Sequence, residues 1–153
     1  MAVAATRFVR DTNGDALFEL AGEPERPGGY EYLTSTDDRE DVTFSSSQPA
    51  SDLRAFVDAT DFESESVYLV SRPIGACYEA RLVGVFREGN GIDADFCNAL
   101  RPADVACGAD EEDTVGVGIR LPFVEEEFNS FGLGWSGDCG PRTTVAREGG
   151  DGA

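Results

Sequence analysis

Short alternations of apolar and polar residues run along most of the chain, the two-residue period of strands with one face in a core. ATRFVR (5–10) and DALFEL (15–20) are two such runs. Thr12-Asn13-Gly14 between them carries the Asn-Gly pair that tight hairpin turns favour, so the two runs are expected to pair with each other. YEYLT (30–34) alternates Tyr30, Tyr32 and Thr34 with Glu31 and Leu33, and DVTFSS (41–46) is a shorter run. SDLRAFVDA (51–59) differs: Leu53, Phe56 and Val57 recur at helical spacing, with Ser51 or Asp52 as cap and Pro49 just ahead. That predicts one short helix.

The strongest block follows. SVYLVSR (66–72) precedes ACYEARLVGVFRE (76–88), the turn Gly89-Asn90-Gly91 and IDADFC (92–97), so residues 82–88 should face 91–97. Simple alternation places Tyr78, Ala80, Leu82, Gly84 and Phe86 on one face of the second run, with Cys77, Glu79, Arg81, Val83 and Val85 on the other. TVGVGIRLP (114–122) reads as a further core strand and RTTVAR (142–147) as a last one. Short strands, one helix and no strand–helix–strand spacing predict a mainly β fold, an antiparallel β-sandwich or barrel-like sheet with one short helix. Residues 1–147 form a single β domain on this reading, and 148–153 a disordered tail.

Charge changes the picture more than size does. The 153 residues include 30 Asp and Glu against 12 basic residues, all Arg, with no Lys and no His, for a net charge of −18. The acids are dispersed, which points to a salt-adapted, solvated surface more than to one cation-binding face. Nucleic acid is not an expected partner, because phosphate binding needs a basic patch. No apolar run reaches the roughly 18 residues of a membrane span, and the opening MAVAATRFVR does not read as a signal peptide.

Candidate chemistry is sparse. Asp11, Asn13 and Asp15 have the spacing of a calcium loop, but counting from Asp11 puts Ala16 at position six and Gly22 at position twelve, where glycine and a carboxylate are needed. A hairpin turn is the better reading, and no metal or cofactor is expected. Without His or Lys the usual general base and amine chemistry are missing, and Ser45, Ser46 and Ser47 have no partner base. Among thirty acids, a glycosidase-like pair arises by chance, so a non-enzyme is expected, with a carboxylate-based hydrolase of surface polysaccharide as the alternative. Cys77, Cys97, Cys107 and Cys139 form no Cys-x-x-Cys. Two disulfides in an oxidising compartment fit them best, each worth about 2 to 4 kcal/mol; buried thiols in the cytoplasm are the alternative. Cys97 is expected opposite residue 82, too far from Cys77, which favours Cys97–Cys107 and Cys77–Cys139.

Two loops read as contact surfaces. SRPIGACY (71–78) carries Arg72, Pro73, Ile74 and Tyr78, and FNSFGLGWSGDCG (128–140) carries Phe131 and the only Trp, Trp135, which either project or fold back as a satellite core. The block 61–96 resembles the C-terminal domain of the PrcB protease-complex subunit family: Asp61-Phe62, the Pro73-Ile74-Gly75-Ala76-Cys77-Tyr78 turn and the Gly89–Gly91 hairpin take that family's places, with Cys77 for a glycine and Ile74 for a threonine. The resemblance implies a small β domain that binds or stabilises a protein partner, a protease in that family, without catalytic residues of its own. The chain also resembles acidic β-domain proteins of halophilic archaea, with FCNALRPADVAC (96–107) as their kind of signature. The expectation is a non-catalytic, salt-adapted binding or protein-stabilising module, extracellular or at the cell surface.

Overall fold

A computed structural model describes residues 3–12, 16–20, 29–124, 130–136 and 139, apart from the side chains of residues 88, 130 and 131. Among these are nine strands: β1 (Ala5–Asp11), β2 (Phe18–Leu20), β3 (Gly29–Leu33), β4 (Val42–Phe44), β5 (Ser66–Gly75), β6 (Tyr78–Glu88), β7 (Gly91–Leu100), β8 (Glu112–Leu121) and β9 (Ser130–Ser136). Two helices accompany them, α1 (Thr36–Glu40) and α2 (Gln48–Asp58). The protein is mainly β, as expected, and its sheets close no barrel. The chain groups into two units, residues 2–74 with 112–126, and residues 75–111 with 127–153.

In the first unit the strands run β1–β8–β5–β3, with β2 and β4 as a separate pair. The TVGVGIRL pattern explains how α2 seats. Gly116 and Gly118 share the face of β8 turned to the helix, and a β-carbon on them would meet Leu17 and Leu53, or Phe56. Bare backbone there lets α2 lie close. Val9, Leu17, Leu33, Ala50, Leu53, Val57, Val67 and Leu69 fill the resulting core. Ser47 caps α2 by accepting from the Ala50 N–H, and Pro49 sits in the first turn, where its missing N–H is harmless. Arg120 closes the far end: its guanidinium lies 4.2 Å from the Phe56 ring centre and donates to the Phe56 carbonyl (2.7 Å) and to Thr60 Oγ1 (3.2 Å).

In the second unit the order is β6–β7–β9. β6 and β7 form the expected hairpin, with Glu88 opposite Gly91. Gly89, at φ +57, occupies the first loop position, where glycine is unstrained. A bulge at Val83 separates the Leu82–Phe96 and Gly84–Asp95 pairs. β9 then joins β7 in parallel, Phe131 beside Ile92 and Trp135 beside Phe96.

Several expectations are corrected. β1 and β2 do not pair: β1 lies antiparallel over its whole length to the longer and more apolar β8, which outweighs a local turn signal, and β2 pairs with the three-residue β4. The Asn13–Asp15 turn itself lies outside the described residues, as do 142–147 and the 148–153 tail. α2 begins before Ser51 and Asp52, the expected caps, which lie inside it, and Ser47 caps it instead. The five-residue α1, where Ser35 accepts from the Asp38 N–H, is additional to the one expected helix. Residues 130–136 of the expected loop are strand β9. The Val83 bulge breaks the simple alternation, so Gly84 and Phe86 share a face with Arg81, and Val85 shares the other with Leu82. The disulfides are Cys77–Cys107 and Cys97–Cys139.

Candidate contact surface

The disulfide pairing follows from register. Tyr78 faces Leu100, so the chain leaving β7 runs beside Cys77, and the Arg101 N–H donates to the Cys77 carbonyl at 2.9 Å. Residues 101–107 need only double back for Cys107 to reach Cys77 (Cα–Cα 5.3 Å). β9 places Ser136 beside Cys97, so Cys139 arrives at Cys97 (Cα–Cα 4.9 Å), where its N–H donates to the Asn98 carbonyl. The mistaken pairing came from reading β9 as loop.

The same register assembles an apolar surface at one end of the β6–β7–β9 sheet. Tyr78 is 39% exposed and Leu100 69% exposed, the most open large apolar side chain among the described residues. They face each other across the hairpin. Further along this sheet face lie Ala80 with Asn98, and Leu82 with Phe96. Trp135 stacks on Phe96 (centroids 4.6 Å apart, planes 19° apart) and donates its indole N–H to Asn98 Oδ1 at 2.7 Å. The indole is half-buried and its polar edge is satisfied, which fixes its orientation. The loop beyond Leu100 is held by Cys77–Cys107 and by Arg101 Nη1, which donates to the Ala76 carbonyl at 2.8 Å.

The expected site residues divide. Tyr78 and Trp135 belong to this sheet face, and Phe131 lies on β9 beside Ile92, its side chain being outside the described ones. Arg72, Pro73 and Ile74 are strand residues of β5, not loop, in the unit of residues 2–74. β5 continues to Gly75, so alternation turns Ile74 inward, where it is 3% exposed; it offers no contact surface. Pro73 is exposed and Arg72 half-buried. Leu100 and Asn98 were not singled out from the sequence. Counting outward from the Gly89–Asn90 turn points to them only when the bulge is included.

The opposite face of the sheet carries acids: Asp93 opposite Phe86 and Asp95 opposite Gly84. The Asp95 carboxyl is raised above the ordinary carboxylate range, first by burial and second by the charge of Asp93. Ser47 is occupied as a helix cap and shares a 3.3 Å hydrogen bond with Ser45. Asp11 ends β1 as a buried residue, and the rest of its turn lies outside the described residues. Among the described residues no three His, Cys, Asp or Glu converge as metal ligands, and no helix is long and apolar enough to cross a membrane. The chain matches no protein-family model, no curated protein and no solved structure.

Proposed function

We propose that this chain is a non-catalytic binding module that works in an oxidising, extracytoplasmic setting and engages a protein partner through Tyr78, Leu100 and Trp135. The observation that carries the reading is the exposed Tyr78–Leu100 pair. Two large apolar side chains face each other in the open, on a rigid hairpin, beside a loop tied by a disulfide. Preorganised apolar anchors of this kind reduce the ordering cost of association. Two disulfides support an oxidising compartment, and the net charge of −18 without Lys supports a salt-adapted surface. The likeness of residues 61–96 to the PrcB domain makes a protease the first class of partner to try.

The test is site-specific photocrosslinking. Benzoylphenylalanine is placed at Leu100, and separately at Asp52 on the exposed side of α2, and each protein is irradiated in the extracytoplasmic fraction of its source cells at their own salt. A discrete adduct from position 100 that position 52 does not give, and that Tyr78→Ser or Trp135→Ser diminishes, supports the reading. Identical adduct patterns from both positions, or none from position 100, reject it.

A further inference from the structure

The β6–β7–β9 sheet buries Val85, Ile92, Ala94 and Phe96 on one face, and on the other Cys97. On the other face Phe86 is 41% exposed, with Asp93 directly across from it. β9 sets Gly132 beside Asp93 and Gly134 beside Asp95, and a β-carbon on either glycine would run into the adjoining carboxylate. The floor under the acids is therefore bare backbone. The tip of the Phe86 ring reaches over Gly84, its Cζ 2.9 Å from where a β-carbon would stand.

Among the described residues this face offers the acids no counter-charge. Among the described residues neither Asp93 nor Asp95 accepts a hydrogen bond or joins an ion pair. Arg81, the cation on the same face, is held instead by Glu79 at 3.2 Å. The raised Asp95 carboxyl is what an uncompensated, partly desolvated pair produces.

Charge and shape select the occupant. Cross-strand neighbours stand about 4.5 to 5.5 Å apart, so one group can touch the Phe86 ring and both carboxylates. A guanidinium suits this: it is planar, weakly hydrated, stacks on aromatic rings and presents several N–H donors to carboxylates. A metal ion would use the acids and leave the ring idle, and an ammonium, a strongly hydrated point charge, lacks the planar fork that can stack and donate at once. We propose that this face takes an arginine side chain of a protein partner, its guanidinium laid on Phe86 and donating to Asp93 and Asp95. The inference rests on the binding-module reading but not on Tyr78 or Leu100, which occupy the other face of the sheet.

The probe is N-acetyl-arginine N-methylamide, with the neutral citrulline analogue as control, titrated into 15N-labelled full-length protein at low and at high salt. The expected result is a saturable shift of the amide signals of Asp93, Asp95, Gly132 and Gly134 with the arginine probe and none with citrulline. It weakens with salt and is lost in Asp93→Asn/Asp95→Asn, a near-isosteric change whose fold the same spectrum checks. Phe86→Leu weakens binding about 2- to 5-fold, the loss of one exposed cation–π contact. Shifts that citrulline reproduces, that survive the double variant, that ignore Phe86→Leu, or that spread over the whole acidic surface overturn the proposal. So does no shift at all. A failure here with the Leu100 adduct intact removes only this site; loss of the Leu100 adduct with these shifts intact removes only the other.

Discussion

Native-state reduction should open the two disulfides in a fixed order. Cys77–Cys107 closes a separation of 30 residues and Cys97–Cys139 one of 42. Loop-closure entropy then assigns about 3.6 and about 3.9 kcal/mol to them, a difference too small to order them. Burial does order them. Cys97 and Cys139 are 2% and 8% exposed, whereas Cys107 stands on an exposed loop. A thiolate must reach a sulfur to exchange with it, so dithiothreitol should open Cys77–Cys107 in the folded protein and Cys97–Cys139 only as the chain unfolds. Alanine variants separate the energies. Cys97→Ala/Cys139→Ala should lose its loop term and about 1 kcal/mol more for the cavity left in buried surroundings, while Cys77→Ala/Cys107→Ala should lose little beyond the loop term. The closed loops share residues 97–107, so losing both bonds should destabilise by less than the sum. The assay is timed alkylation with peptide mapping, alongside urea melts of each variant. Equal opening rates, or a Cys97–Cys107 peptide in the oxidised protein, would refute the reasoning.

Gly116→Ala sets its β-carbon 2.5 Å from Leu17 Cδ1 and 3.1 Å from Leu53 Cδ2. Overpacking of about 1 to 3 kcal/mol, less up to about 1 for replacing a strand glycine, leaves a net loss of about 1 to 2 kcal/mol in urea melts, reduced when Leu17→Ala is also present. Asp95→Asn should raise the melting temperature at pH 7. A carboxyl with a raised folded pKa opposes folding while ionised, and the penalty fades as pH falls through that pKa, so the gain should vanish below the unfolded value near 3.8. Melting temperature should also climb between 0.2 M and 3 M KCl as salt screens a net charge of −18; a flat or falling profile would remove the salt-adapted reading. Leu100→Asp should leave stability within about 0.5 kcal/mol, since the side chain is largely in water already, and act only on binding.

What the sequence made legible and what it hid have a common physical origin. Patterns that depend on one segment survived. The Gly89–Asn90 turn needs glycine at φ +57 and sets the β6–β7 hairpin by itself, and the Leu53, Phe56, Val57 spacing makes α2 whatever it packs against. Patterns that depend on a second segment misled. FNSFGLGWS reads as loop because glycine is a poor strand former. Yet Gly132 and Gly134 are there because Asp93 and Asp95 of the neighbouring strand fill the space their side chains would take. Missing β9 also hid the route that carries Cys139 to Cys97. The Asn13-Gly14 signal failed in the opposite sense: a good turn sequence does not choose a partner, and β1 gains a seven-residue ladder from β8.

The exposed apolar pair shows the same dependence most sharply. With strict alternation from the turn, Tyr78 would share a face with Phe86 and Asp93, and Leu100 would stand opposite Glu79. The single extra residue at Val83 moves Tyr78 across to Leu100 and onto the face of Phe96 and Trp135. By absorbing that residue the bulge keeps the two faces chemically distinct, apolar anchors on one and carboxylates on the other. Deleting Val83 should remove the bulge and leave these pairs in place, with Leu82 still opposite Phe96 and Tyr78 still opposite Leu100, so the Leu100 photoadduct should persist. If the adduct is lost in a folded Val83 deletion, the local twist of the bulge, and not the pairing of Tyr78 with Leu100, is what a partner reads.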